Sequence, residues 1–217
     1  MLVRKRMTPN PITITPDTSV SDGLALMREK KVRRLPVLDS HGQLVGIVSD
    51  NDLLYASPSP ATSLSVWEIH DLLYKLKIEK VMTRDVITVT EDTPLEEAAR
   101  IMADRRIGGL PVMADKKLVG IITETDVFKA FLGQLGARRP GVRVAVSVAE
   151  ARGTIAKLAT AIAGVGGNIV GLGLSDPTPT SGGDWEITVK VQDVAKDKLV
   201  DAIRPFVRKV LDVREET

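Results

Sequence analysis

Leu44-Val45-Gly46-Ile47-Val48-Ser49-Asp50-Asn51-Asp52 is answered further along the chain by Leu118-Val119-Gly120-Ile121-Ile122-Thr123-Glu124-Thr125-Asp126. Outward from these stretches the correspondence continues at near-constant spacing. Arg33-Arg34-Leu35-Pro36-Val37 matches Gly108-Gly109-Leu110-Pro111-Val112, and Asp17-Thr18 matches Asp92-Thr93. Ile12 to Thr15 matches Ile87 to Thr90, and Met7-Thr8 matches Met82-Thr83, with one residue dropped near Ser40 to Gly42. A unit written twice organises the whole first part of the chain.

Each copy reads in one order. A short strand (Ile12 to Thr15; Val86 to Thr90) precedes a helix, two strands joined by a polar turn follow, and a second helix starts at Ser49 or Thr123. Thr93-Pro94-Leu95-Glu96 predicts a capped helix start, with Ala98, Ala99 and Met102 at helical spacing toward the core. A β-α-β-β-α unit has too few elements to cover its own sheet, so two copies must pack together. Ser57-Pro58-Ser59-Pro60 marks a linker. Ser65-Val66-Trp67-Glu68 then opens a connecting helix whose stripe is Ile69, Leu72, Leu73 and Leu76.

Both copies place Ser/Thr-x-x-Asp at a strand-to-helix junction. Free backbone N–H groups and the positive helix end attract phosphate there, and a carboxylate one turn on can accept from two ribose hydroxyls. The same spacing also forms a plain N-terminal cap. Spacing alone supports either reading.

The Gly-Ile-Val-Ser-Asp-Asn-Asp and Gly-Ile-Ile-Thr-Glu-Thr-Asp stretches, the Leu-Pro-Val strands and the Met-Thr openings resemble the cystathionine-β-synthase (CBS) domain pair, or Bateman module. The resemblance implies composite sites, with the hydroxyl and Asp from one repeat and the adenine-side wall from the other. One site would use Thr123 and Asp126 with Thr18, Gly23, Arg33 and Arg34. The other would use Ser49 and Asp52 with Thr93, Ala98, Gly108 and Gly109, and of the two only the first offers guanidinium groups, which suit phosphate. Many family members carry Arg or Lys before the Asp. Asn51 and Thr125 stand there instead, preceded by Asp50 and Glu124. That acidic lining disfavours a long polyphosphate, so AMP ranks above ADP and ATP, with S-adenosylmethionine an alternative for the glycine-lined site.

Arg138-Arg139-Pro140-Gly141 breaks the chain, and the remainder reads as a βαββαβ unit. Val142 to Val148 alternates as a strand, and Gly153-Thr154 opens a helix ended by Gly166-Gly167. Strands Asn168 to Leu174 and Trp185 to Val191, helix Ala195 to Phe206 and strand Lys209 to Arg214 complete it. Gly153 and the Gly-Gly-Asn-Ile-Val stretch (Gly166 to Val170) resemble the ferredoxin-like, amino-acid-binding ACT domain. That resemblance implies an interface site using Ala151, Arg152, Gly153, Thr154 and Asn168, although the glycines also serve as turns and Asn168 as a local cap. The expected architecture is thus α/β (α+β): CBS repeat 1 over 1–60, a linker helix over 61–80, CBS repeat 2 over 81–136 and an ACT domain over 141–217.

Composition narrows the function. Across 217 residues the net charge is +2 with 3% aromatics, which argues against nucleic acid. No apolar run reaches about 18 residues and no signal-peptide core opens the chain, so a cytoplasmic protein without a membrane span is expected. Cysteine is absent, and His41 and His70 stand apart from any acid–base or metal-ligand pattern. The expectation is a regulatory protein with no catalytic residues, metal or required cofactor. Both families pair, so a homodimer acting on an unidentified partner is expected. The CBS-CBS-ACT order resembles bacterial acetoin-utilisation accessory proteins.

Overall fold

The computed structural model describes residues 1–56, 66–149, 152–177 and 184–216, without the side chains of Val66, Ile69, His70 and Asp71. The Ser57 to Pro60 linker, the Ser65 cap and Ala151 lie outside the described residues. The chain divides into two compact units, Met1–Val127 and Phe128–Thr217. Among the described residues no helix is long and apolar enough to cross a membrane.

The first unit contains β1 (Thr8–Pro9), α1 (Val20–Lys30), β2 (Arg34–Leu38), β3 (Leu44–Ser49), α2 (Asp50–Tyr55) and α3 (Val66–Lys75). The second copy supplies β4 (Val89–Thr90), α4 (Leu95–Arg105), β5 (Gly109–Ala114), β6 (Lys117–Thr123) and the start of α5 (Glu124–Gln134). The expected first strand of each copy is short: β4 has two residues, and in the first copy only an Ile14–Val37 bridge forms.

The copies exchange their opening segments. β1 pairs antiparallel with β6, matching Thr8 to Ile121, and Thr83 pairs with Ile47 in the mirror position. Met1 O accepts from Leu95 N, and Leu76 O accepts from Val20 N, both at 2.8 Å. Ile78 and Met82 therefore complete the first copy's core with Val20, Met27, Leu35, Val37, Val48 and Leu53. Val3 is buried at the position equivalent to Ile78, and Leu95, Met102, Leu110, Val112 and Ile122 are buried in the second copy. Gly46 and Gly120 permit the exchange, because a Cβ on either would overlap the sulfur of Met82 or Met7.

Helix starts follow local chemistry. Ser19 caps α1: its Oγ accepts from Asp22 N at 3.0 Å and donates to Asp22 Oδ2 at 2.7 Å. The cap expected at Thr93 is absent. Pro94 occupies the position equivalent to Ser19 and caps α4 without a side-chain bond, while Thr93 Oγ1 accepts from Thr90 N at 3.0 Å.

The second unit holds β7 (Gly141–Val148), α6 (Thr154–Gly164), β8 (Asn168–Ser175), β9 (Trp185–Gln192), α7 (Lys196–Ile203) and β10 (Lys209–Glu216). Its sheet is antiparallel in the order β10-β7-β9-β8, the split βαβ arrangement. Alternation decides its faces. Val142, Val144, Val146, Val148, Ile187, Val189 and Val191 meet Leu158 and Ile162 of α6 and Leu199 and Ile203 of α7. On the opposite face Lys190 is buried and paired with Glu216, and the Leu135–Gly136 backbone lies directly over Gly171.

Candidate functional site

The repeat creates two related clefts in the first unit. The first is a cavity of about 390 Å³ formed by the Thr8 to Ile12 segment, the turn from Lys31 to Arg34, and the β6–α5 junction at Thr123, Thr125 and Asp126. The second, of about 340 Å³, is its counterpart: Thr83 to Ile87, the turn from Arg106 to Gly109, and the β3–α2 junction at Ser49, Asn51 and Asp52. Each takes its wall from one repeat and its Ser/Thr-x-x-Asp from the other.

The junctions explain how a cap and a binding group coexist. At α2, Ser49 N and Ser49 Oγ both donate to Asp52 Oδ2 at 2.7 Å, and Asp52 N donates back to Ser49 Oγ at 3.2 Å. At α5, Thr123 N and Oγ1 donate to Asp126 Oδ2 at 3.0 and 2.6 Å. The cap thus occupies one oxygen of each carboxylate. Among the described residues Oδ1 of neither Asp has a hydrogen-bond partner, so each cleft wall keeps an acceptor suited to hydroxyl groups.

Four of the residues expected at the first site converge there: Thr123, Asp126, Arg33 and Arg34. Arg33 spans the cleft, its guanidinium donating to Thr125 Oγ1 at 3.2 Å. Ser49, Asp52, Gly108 and Gly109 likewise converge on the second. Thr18, Gly23, Thr93 and Ala98 line neither cleft. Thr18 Oγ1 accepts from Thr15 N at 3.3 Å, and Thr18 O accepts from Ile78 N. Gly23 is packed under Ile78 and Leu53, and Ala98, its equivalent, is fully buried. The wall comes instead from the exchanged segments, which the repeat showed only as Met-Thr openings.

Two further expectations are corrected. Asp50 and Glu124, expected as an acidic lining, are not among the residues lining either cavity, although a Glu124 carboxylate oxygen lies close to Gly108 of the second. Asp50 Oδ1 instead accepts from Asn51 N at 3.0 Å. The second cleft is not free of guanidinium groups either, because Arg34 and Arg106 both line it. Burial, and next the neighbouring Arg33 charge, hold the Arg34 guanidinium below the ordinary arginine value.

Lys31 and Arg106 were missed by sequence reasoning. They are equivalent residues that end α1 and α4 in the left-handed conformation, at φ 54° and 55°. Glycine is the usual residue there, and a side chain costs about 1 kcal/mol. Both copies nonetheless place a cation at the cleft wall, as functional positions do. Lys31→Gly is expected to raise stability by about 0.5–1 kcal/mol in urea denaturation. It should weaken phosphate-bearing ligands in the first cleft several-fold; a neutral effect on both would refute a role for the lysine.

The clefts differ in charge. The first sets Lys31, Arg33 and Arg34 against Asp126, whereas the second sets Arg34 and Arg106 against Asp52 and Asp85.

In the second unit, Gly153 and Thr154 line a cavity of about 250 Å³ with Val148, Ile155, Leu174, Trp185 and Ile187. Gly153 caps α6 at φ 82°, a conformation that favours glycine. Trp185 Nε1 is buried without a partner among the described residues. Arg152 does not line this cavity. Asn168 pairs with Gln192 at the far end of β8 from Leu174, so one copy does not bring it to Gly153.

The profile of the CBS domain matches residues 3–59 and 78–133. A CBS domain-containing protein of Dictyostelium discoideum is 33% identical over 58% of this chain and 88% of its own length. The chloroplastic CBS domain-containing protein CBSX2 of Arabidopsis thaliana is 38% identical over 58% of this chain, which spans only 61% of that protein. The solved structure of CBSX2 with AMP covers 60% of this chain and 96% of its own, at 39% identity and TM-score 0.50. The CBS domain pair of protein MJ0100 with 5′-methylthioadenosine and S-adenosyl-L-methionine covers 61% and 97%, at 32% identity and TM-score 0.52. AcuB of Vibrio cholerae, described as an acetoin utilization protein, covers 64% and 95%, at 33% identity and TM-score 0.52.

Proposed function

We propose that this chain, which belongs to the CBS domain family, is a regulatory sensor of adenine-containing ligands rather than an enzyme. The observation that carries the reading is the pair of clefts, each setting an Asp at a helix start, its Oδ1 unbonded among the described residues, against a cationic wall from the other repeat. AMP is the first choice for the Thr123/Asp126 cleft, where three cations face one carboxylate. The second cleft, with Asp85 added, suits a nucleoside or a cationic ligand such as S-adenosylmethionine. Relatives crystallised with AMP, and with 5′-methylthioadenosine and S-adenosyl-L-methionine, support this class of ligand.

The C-terminal unit is read as an ACT domain over 141–217, following CBS repeats over 1–60 and 81–136 joined by a linker helix over 61–80. Its Gly153 cavity, with the buried Trp185 indole N–H, favours a small amphipathic ligand such as an amino acid. Asn168 would then come from a second copy in a homodimer. The whole protein is read as acting in the cytoplasm on a partner near acetoin metabolism, a reading supported by the likeness to AcuB.

A thermal-shift panel of AMP, ADP, ATP, NAD, S-adenosylmethionine and single amino acids tests the reading. A ligand at a hundred times its Kd stabilises the native state by about 2.7 kcal/mol. AMP should therefore raise the melting temperature by several degrees. No shift with any adenine ligand at millimolar concentration would leave a structural assembly module with degenerate sites.

A further inference from the structure

Arg33 and Arg34 of the first copy correspond to Gly108 and Gly109 of the second, so the internal symmetry is broken where the two clefts approach each other. The structure shows what fills the difference. A Cβ on Gly108 would overlap the Arg34 guanidinium, whose central carbon lies 2.8 Å from that point. Arg34 Cδ is 3.0 Å from the corresponding point on Gly109. The glycines of one repeat are thus the seat for an arginine of the other, and Arg34 lines both cavities. A Glu124 carboxylate oxygen also lies 2.8 Å from the Gly108 position, and its charge attracts the guanidinium.

We propose that Arg34 is a single anion-binding group shared by the two clefts, so that phosphate-bearing ligands in the two oppose each other while uncharged nucleosides bind independently. One guanidinium presents its forked donors to one phosphate at a time. A phosphate in the first cleft draws Arg34 off its glycine seat, and the second cleft then keeps Arg106 against two carboxylates. Coupling of this kind is reciprocal. The consequence is that AMP in the first cleft shifts the second toward neutral or cationic adenine ligands, and the protein reads a mixture rather than one concentration.

The inference rests on the nucleotide reading above, and calorimetry of the full chain separates the two. Asp126→Ala leaves the second cleft alone and Asp52→Ala leaves the first, giving single-cleft affinities for AMP and for adenosine. In the unsubstituted chain the combined two-site AMP affinity should fall about tenfold short of the product of those values, whereas adenosine should match its product. With Arg34→Met added to all three chains, the AMP shortfall should vanish. Gly108→Ala, which displaces the guanidinium from its seat, should strengthen AMP in the first cleft and weaken it in the second, while adenosine in the first cleft, which Gly108 does not line, should be unchanged. A matched product for AMP, or a shortfall that survives Arg34→Met, overturns the sharing of Arg34 and leaves nucleotide binding standing. Absence of binding by both AMP and adenosine overturns both.

Discussion

Asp126→Ala is expected to reduce the number of AMP molecules bound per chain from two to one at concentrations that saturate both clefts, by weakening the first cleft about a hundredfold. The carboxylate has two roles on two oxygens. Oδ2 accepts from Thr123 N and Oγ1 and caps α5, while Oδ1 has no hydrogen-bond partner among the described residues and Asp126 lines a cleft whose opposite wall is cationic. Alanine removes both roles, so about 1 kcal/mol of stability should be lost with the cap. Asp126→Asn distinguishes them. Its amide oxygen keeps the cap at a loss of about 0.5 kcal/mol, but it no longer offers a charged acceptor to ribose hydroxyls. AMP affinity should still fall at least about tenfold in that variant. Equal losses of stability and affinity across the two variants would make Asp126 a capping residue only, and calorimetry beside urea denaturation reads both.

Gly171→Ala is expected to destabilise the C-terminal unit by about 3 kcal/mol. Gly171 lies in β8 beneath the Leu135–Gly136 backbone, where a Cβ would overlap the Leu135 carbonyl and sit 2.8 Å from Gly136 N. Backbone cannot rotate away as a side chain can, so the covering segment must lift from the sheet. Gly173→Ala is the control, because its Cβ would meet only the Leu135 Cδ2 methyl at 3.1 Å, and it should cost less than about 1 kcal/mol. Of the two tryptophans, Trp67 is 85% exposed and Trp185 is half-buried, so the unfolding change in indole emission reports mainly on this unit. Equal midpoints for the two variants would refute the close backbone seat.

What could be read in the sequence was local. Alternation at Val142, Val144, Val146 and Val148 gave the strand and its buried face, and the Ser49 and Thr123 junctions gave two helix starts and their carboxylates. The cap and the binding group were weighed as alternatives because spacing cannot show that one oxygen suffices for the cap. What escaped was non-local. Nothing near Thr8 indicates that it pairs with Ile121 rather than within its own copy, and so Thr18 and Thr93 were expected at walls that the exchanged segments form. Nothing near Gly108 announces an arginine arriving from the other repeat. Asn168 lies beside Gly167 in sequence but six residues along β8 from the Gly153 cavity, a separation of about 20 Å in an extended strand.

The exchange of opening segments also bears on how such a chain arises. A lone repeat that kept this arrangement would finish its sheet and core with the opening segment of a second molecule, by mutual swapping. Fusing two copies in one gene makes that encounter intramolecular, at an effective concentration that no dilution lowers. It also releases the copies from being identical. Arg34 could then be kept in one and glycine in the other, a division of labour that a symmetric pair of separate molecules has no means to encode.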